Sequence, residues 1–215
     1  MHSVATVFAA PETLPQPVTL VDAGLLPCPS GSLMVFDPMV VRDRAAVPGI
    51  TVPVGTYPVT LAVSGVPDDP CYLAAKVTIT PRPIIRLAPA RGTADGHTFE
   101  SISCCVDAGM AALADAATLR HYLAHCERLQ ASSPTFHRYD ELFAEPLRHQ
   151  AVTQPRMHSS YGDWLRWTVP NTADTATMVL TTSGFGDGCY PCLVGYDEED
   201  ICSAVFVEFV PAHSL

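Results

Sequence analysis

The segment Ser183-Gly184-Phe185-Gly186-Asp187-Gly188-Cys189-Tyr190-Pro191 constrains the fold more than any other part of the chain. Three glycines at alternate positions allow positive φ angles or close backbone approach, and they place Asp187 in a tight turn. β-prone sequence follows at once, and a second β-prone run comes after the acidic group at 197–200. The region 176–211 is therefore predicted to form a β-hairpin framed by glycine.

The first hundred residues contain most of the 20 prolines. Short β-prone runs lie between turns that are rich in proline and glycine, and some of these runs alternate apolar and polar residues. Prolines this frequent fit at strand starts or sheet edges, where no ladder hydrogen bond is lost. We expect residues 15–100 to form a β-sandwich-like or strongly twisted, mainly antiparallel sheet. The strands predicted along the whole chain are Val18–Val21, Ser32–Phe36, Val52–Val54, Tyr57–Val63, Tyr72–Ile79, Ile84–Leu87, Met178–Thr182, Tyr190–Tyr196 and Ile201–Val210.

The composition changes after this region. From Met110 to Gln130 there is no proline or glycine, and alanine and leucine recur at approximately helical spacing. This pattern predicts a helix, with the N-cap near Asp107. A shorter helix is predicted from Phe136 to about Phe143, ending near Pro146. Together these segments indicate a helical insertion over 107–150 in a single α+β domain that spans 1–215 and is completed by the C-terminal β-hairpin.

Charge and hydropathy limit the classes of function. The formal net charge is −10 and Lys76 is the single lysine, which argues against nucleic-acid binding because that requires clustered basic residues. No apolar run approaches the ~18 residues of a membrane span, and the N-terminus lacks the basic region of a signal peptide. We therefore expect a soluble, cytoplasmic protein whose acidic surface favours solubility or a basic partner.

Eight cysteines are present, which is high but below the density of a disulfide scaffold. Cys104 and Cys105 are adjacent, and a bridge between neighbours is strained. Cys189 and Cys192 have the spacing of half a zinc site, yet no second pair of this kind exists, and on a strand the two side chains would face opposite sides. Free thiols in a reducing cytosol are the preferred interpretation.

Four aspartates, Asp37, Asp107, Asp115 and Asp187, lie in or beside predicted turns. If these turns meet at one end of the sheet, the carboxylates could hold a divalent cation or act as an acid–base pair. Tyr190 could then orient a substrate or donate to developing negative charge. The competing interpretation, which the residue type favours, is that each aspartate caps its own backbone. The expected catalytic residues are Asp107, Asp115, Asp187 and Tyr190, and the expected binding residues are Asp37, Gly109, Ser183, Gly186 and Gly188.

Other motifs give weaker signals. His121 and His125 have the i, i+4 spacing of metal ligands on a helix, but the glutamate of a metalloprotease motif is missing, so exposed histidines are the favoured interpretation. No phosphate-binding loop, serine nucleophile elbow or dinucleotide fingerprint is found. A Cys–His catalytic pair stays open, because no local pattern selects one. The sequence identifies no cofactor and leaves metal occupancy open.

Four blocks of the sequence resemble the DUF4241 family, a set of largely uncharacterised proteins. They are Leu26–Val40, Val52–Val63, Val106–Asp115 and, most specifically, Ser183–Phe209. Family members usually continue Val-Asp-Ala-Gly with Thr-Gly-Cys, whereas this chain has Met110-Ala111-Ala112. They also usually show an aromatic-Gly pair after Tyr-Pro, where this chain has Leu193-Val194-Gly195. The resemblance supports the fold and the choice of site, and it implies no settled reaction.

Two functions are therefore expected as alternatives. The first is an interaction protein, of an immunity or antitoxin-like kind, that binds another protein through its acidic surface. It follows from the net charge, from the missing catalytic motifs and from the departure at 110–112. The second is a small hydrolase that acts on a small-molecule substrate with the turn aspartates, with or without a divalent metal. Whether the protein is an enzyme is left open by the sequence.

Overall fold

The computed structural model describes residues 3–65, 71–153, 164–172 and 176–214. These residues form three α-helices and fourteen β-strands. The helices are α1 (Val4–Ala9), α2 (Ala116–Ser132) and α3 (Ala144–Thr153). The strands are β1 (Val18–Cys28), β2 (Ser32–Phe36), β3 (Gly49–Thr51), β4 (Gly55–Ser64), β5 (Tyr72–Thr78), β6 (Arg86–Pro89), β7 (Gly92–Ala94), β8 (His97–Phe99), β9 (Ser103–Val106), β10 (Met110–Asp115), β11 (Trp164–Thr168), β12 (Thr177–Thr182), β13 (Gly188–Tyr196) and β14 (Cys202–Glu208).

Two antiparallel sheets form a sandwich, which confirms the predicted fold class. In the first sheet the order is β1-β4-β5-β14-β13-β6, and β9 also pairs with β13. In the second sheet the order is β11-β12-β10-β2-β3-β7-β8. The predicted C-terminal hairpin is present as β13 and β14, which pair antiparallel. No helix in the described part of the chain is both long and apolar enough to cross a membrane.

Apolar residues on alternate faces of the strands build three packed layers. In β2, Leu33 and Val35 belong to the core between the two sheets, whereas Met34 and Phe36 pack with residues of α2. On the other side, the first sheet carries α1, whose Val4, Val7 and Phe8 pack on Phe206 and its neighbours. The sandwich is therefore covered by helices on both outer faces, because the period-two pattern buries both sides of its central strands.

The predicted helix over 110–130 is wrong in its first part. Residues Met110–Asp115 form β10, which pairs with β2 and β12, and α2 begins only at Ala116. Ala111 and Leu113 lie in the core between the sheets, while Ala112 and Ala114 pack on the helical side. A strand that is buried on both faces shows no polar alternation, so its alanine-rich sequence resembles a helix.

Asp107 is not the N-cap of this helix, because the helix starts later than predicted. Asp115 is the N-cap, and its Oδ1 accepts a hydrogen bond of 2.7 Å from the N–H of Ala117. The second predicted helix also differs: a π-helical turn spans Tyr139–Phe143 and leads directly into α3. The helical segment continues past Pro146 to Thr153, so this proline does not end the helix.

Smaller corrections concern the strands. Val52–Val54 is not a strand, and β3 precedes it at Gly49–Thr51; Pro53 cannot donate to a ladder. The predicted strands do not include β7, β8, β9 or β11. Both tryptophans, Trp164 and Trp167, lie in β11 at the edge of the second sheet.

Candidate functional site

Two turns lie side by side where the chain crosses between the sheets. Residues 107–109 connect β9 to β10, and residues 183–187 connect β12 to β13. The N–H of Ser183 donates to the carbonyl of Gly109 at 3.1 Å, and the N–H of Gly109 donates to Asp187 Oδ1 at 3.0 Å. We call these two turns the acidic corner. The glycine-rich segment is thus a crossover between sheets, and the loop of the C-terminal hairpin lies elsewhere, at 197–201.

Asp37 fixes the first turn of the acidic corner by accepting hydrogen bonds from its backbone. Asp37 directly follows β2 and is 3% exposed, so its carboxylate is almost completely buried. Oδ2 accepts hydrogen bonds from the N–H groups of Asp107 at 2.8 Å and Ala108 at 2.9 Å, and Oδ1 accepts one from Met39 at 2.8 Å. These bonds satisfy three backbone donors at once, which compensates for burying the charge.

Tyr190 and Ser183 hold the second turn. The Tyr190 hydroxyl donates to the carbonyl of Gly186 at 2.6 Å, with Ser183 O a further acceptor at 3.1 Å, and the Ser183 hydroxyl donates to Gly186 O at 2.8 Å. Gly186 has a φ of +107°, which residues with a Cβ rarely adopt, so glycine is required here. Burial raises the pKa of Tyr190, the Ser183 hydrogen bond lowers it, and the charge of Asp187 raises it, with a net increase. The hydroxyl therefore stays a donor to the backbone.

The groups that the corner exposes are few. Phe185, at the tip of the second turn, is 74% exposed. The side chains of Asp107 and Asp187 are also exposed, and Asp107 forms no side-chain hydrogen bond with any described residue. A cavity of about 400 Å³ opens beside the corner, lined by residues 35–37, 40–43 and 46–48 together with Ser103 and Cys105. The exposed surface thus combines two carboxylates with an aromatic ring and an adjacent, largely apolar recess.

Asp115 does not join this group. It lies at the opposite end of β10 from Gly109, six residues away, which corresponds to about 20 Å of strand. Its Oδ2 accepts hydrogen bonds from Ser30 N at 2.9 Å, Ser30 Oγ at 2.6 Å and the Cys28 thiol at 3.3 Å. The structure therefore brings together Asp37, Asp107, Asp187 and Tyr190 with the glycines of both turns, and it leaves Asp115 apart as a helix cap.

Acid–base chemistry needs groups that are free to exchange protons with a substrate. Asp37 and Asp187 accept backbone hydrogen bonds, and Tyr190 donates to backbone carbonyls. Among the expected catalytic residues, Asp107 alone projects from the corner with its carboxylate unbonded to other described residues. The geometry therefore suits binding of a cationic group better than a paired acid–base mechanism.

Within the described part of the chain, no group of three or more His, Cys, Asp or Glu side chains has the arrangement of a metal site. His121 is exposed, whereas His125 is mostly buried and its ring lies 6.4 Å from that of Trp167. Burial and then the charge of Arg128 lower the pKa of His125. Cys192 is buried in the core while Cys189 is exposed, as expected for two positions three residues apart on a strand, which lie on opposite faces.

The expectation that all cysteines are free thiols is wrong for one pair. Cys105 and Cys189 form a disulfide, and they face each other directly in the antiparallel pairing of β9 with β13. Their separation of 84 residues left no local signal, because only the tertiary fold places these two strands together. The bridge joins the strands that enter and leave the acidic corner. Disulfides persist in oxidising compartments, so the cytoplasmic location stays a prediction.

Sequence reasoning missed Phe185 and Arg138. Phe185 could have been found, because an aromatic residue between two turn glycines has little chance of burial. Arg138 is buried between α2 and the turn after β2, and nothing in its local sequence indicates this position.

The comparisons with known proteins identify a family and add no activity. The model of the DUF4241 family, described as "Protein of unknown function", matches residues 26–207, which is most of the chain. Neither the curated proteins nor the solved structures include one that matches the chain.

Proposed function

The chain belongs to the DUF4241 family, and from that premise we propose that it is a binding protein whose acidic corner engages a basic surface on another protein. The observation that carries this proposal is the exposed Phe185, at 74%, on a turn whose backbone is held at several points. An apolar ring on a constrained turn has little entropy to lose on binding, which favours its use as an anchor.

The charge of the molecule agrees with this partner. The net charge of −10 creates an electrostatic field that attracts basic surfaces. A net charge of this size bears on association with a partner and says little about the fold. Much of the acidic loop at 197–200 is already neutralised, since Arg82 pairs with Asp197 and Glu199, and Arg86 pairs with Asp200. Asp107 and Asp187 have no such basic partner in the described residues. The corner is therefore the acidic surface that is best suited to meet a basic side chain.

The partner surface that fits has an arginine or lysine next to an apolar side chain. The basic group would meet Asp107 and Asp187, while the apolar side chain would contact Phe185 or enter the cavity of about 400 Å³ beside it. In its strongest form, the proposal assigns an immunity or antitoxin-like role. Binding at the acidic corner would then cover the basic surface through which the partner acts.

Affinity capture with the full chain tests the proposal. The tagged protein is incubated with extract of its source cells at low and at high salt, and bound proteins are quantified by mass spectrometry. The corner variant carries Phe185→Ser and Asp107→Asn, two exposed positions that make no described side-chain hydrogen bond. A specific partner should be lost at least tenfold in this variant, because central anchors carry most of the binding energy.

A matched control carries Ile85→Ser and Glu198→Gln, which also removes one exposed apolar side chain and one exposed carboxylate. This control should retain the partner, and high salt should weaken capture through screening of the acidic surface. Equal capture by the corner variant and the wild type would refute the proposed surface. Capture that is indifferent to salt would refute the electrostatic part of the argument.

A further inference from the structure

Arg138 is a buried cation that has no counter-ion among the described residues. The residue is 9% exposed, and its Nη1 donates a hydrogen bond to the neutral carbonyl of Pro38 at 2.8 Å. The buried charges elsewhere are better compensated: Asp115 accepts four hydrogen bonds, and Asp197 pairs with Arg82. Among the described residues, Arg138 contributes no buried nitrogen without a hydrogen-bond partner, so any donor that is not bonded within the protein is accessible to solvent or to a ligand.

The Arg138 side chain is held in one place. Its guanidinium carbon lies 5.5 Å from the centre of the Tyr122 ring, a cation–π contact, and the Tyr122 hydroxyl donates to the same Pro38 carbonyl at 2.5 Å. Tyr122 is itself completely buried. The guanidinium is therefore oriented before any ligand arrives, which lowers the entropic cost of using its remaining N–H groups.

Arg138 lines a cavity of about 560 Å³ between α2, the segment 136–138 and the turn after β2. A second guanidinium, that of Arg42, also lines this cavity and has no described ion-pair partner. Both arginines lie close to the thiol of Cys126: burial raises the pKa of this thiol, and the charges of Arg138 and Arg42 lower it. Two cations therefore converge on one recess of a protein that is acidic overall.

We propose that this cavity binds a small organic anion, whose carboxylate or phosphate pairs with Arg138 and Arg42 and whose apolar part packs on Met39, Leu123 and Phe136. The volume lies in the range of small-molecule sites, and the lining combines apolar side chains with charged and polar groups that could orient a ligand. Guanidinium groups suit both oxyanions, because each can be bound through two parallel hydrogen bonds.

The cavity is separate from the recess beside the acidic corner, although Arg42 lines both and one turn contributes to both. Asp37 directs its carboxylate to the corner, and the next residue, Pro38, directs its carbonyl to Arg138. The exposed Glu127 is the one acidic side chain in the lining of this cavity. Its carboxylate would repel any negative charge that a ligand carries at a distance from the two arginines. A ligand with a single compact anionic group at one end therefore fits better than a polyanion.

Calorimetric titration of the full chain tests the proposal with three probes: phenyl phosphate, phenylacetate and the neutral phenylacetamide. At least one of the two anions should bind at millimolar concentration or below, and phenylacetamide should bind at least tenfold more weakly. The better of the two anions identifies whether the site prefers phosphate or carboxylate.

The Arg42→Gln variant separates the site from general charge effects, because Arg42 is exposed and its replacement spares the core. Binding of the anion should weaken about tenfold or more, since a hydrogen bond to a charged group is lost. Arg120→Gln, a matched change at an exposed position of α2 outside the cavity lining, should bind like the wild type. Absence of binding by both anions, equal binding of phenylacetamide, or equal loss in the two variants would each overturn the proposal.

Discussion

Replacing Asp115 with alanine should destabilise the protein more than any other single change to a capping aspartate. Its carboxylate is fully buried, at 0% exposure, and it connects three segments: the turn after β1, the end of β10 and the start of α2. Oδ1 caps the N–H of Ala117 at 2.7 Å, and Oδ2 accepts two hydrogen bonds from Ser30 at 2.9 and 2.6 Å. The alanine variant loses all of them.

The magnitude follows from these bonds. A lost N-cap costs ~1 kcal/mol, and hydrogen bonds to a charged acceptor contribute ~1.5–3 kcal/mol each. The two Ser30 bonds share one oxygen and are not additive, so we expect a total loss of about 4 kcal/mol in the free energy of unfolding for Asp115→Ala. For a chain of this length that corresponds to a decrease in Tm of about 8–16 °C.

The assay is denaturant and thermal unfolding under non-reducing conditions, followed by circular dichroism. Asp115→Asn keeps one oxygen as the helix cap but turns an amide N–H₂ toward Ser30, so its loss should be about half of that of the alanine variant. Asp43→Ala is the matched control: Asp43 caps one exposed N–H, that of Ala45, at 2.8 Å, and its loss should stay below ~1 kcal/mol. A loss for Asp115→Ala no larger than that of Asp43→Ala, or wild-type stability of Asp115→Asn, would refute the reasoning.

Three further outcomes are expected. Serine at both Cys105 and Cys189 removes a cross-link over 84 residues, and chain entropy sets the loss at up to about 4.5 kcal/mol, measured by unfolding in denaturant; an unchanged midpoint would contradict this. Burial raises the pKa of Asp197, but hydrogen bonds from backbone N–H groups and from Arg82 lower it by more. The net pKa therefore lies below the ordinary value of 3.8. Because the folded form has the lower pKa, the stabilisation by this group is present above pH 3.8 and is lost as the pH falls through the folded pKa, so Asp197→Asn should reduce the pH dependence of stability in that acidic range. Burial and then Asp115 raise the pKa of the Cys28 thiol to about 12, so iodoacetamide should leave Cys28 unmodified in the folded protein, as peptide mass spectrometry would detect.

Local sequence patterns predicted much of the β architecture correctly. Tyr57–Val63 and Ser32–Phe36 form strands because their alternating or apolar residues fit between a sheet interior and its outer face. The turn at 183–187 was recognised from its glycines, and Gly184 and Gly186 do adopt positive φ. These strands and this turn depend on residues that are close together in the chain, so a local sequence pattern can predict them.

The candidate site was predicted in part. Asp37, Asp107 and Asp187 were expected to meet if the turns converged, and Asp37 and Asp187 do bond to the turn at 107–109. Asp115 was grouped with them because it is near Asp107 in sequence. In the predicted helix the eight residues from Asp107 to Asp115 would span about 12 Å, whereas the extended β10 carries Asp115 to the far end of the strand.

The sequence by itself determined the strand pattern, the glycine turn and the acidic balance, since each of these follows from residue type and short spacing. Tertiary structure alone decided that Met110–Asp115 is a strand, that Cys105 meets Cys189, and that Arg138 lies buried against Tyr122. These three outcomes depend on segments that are distant in the chain and are brought together by burial. Burial is a property of the assembled sandwich, and no local pattern of residues specifies which distant side chains will share it.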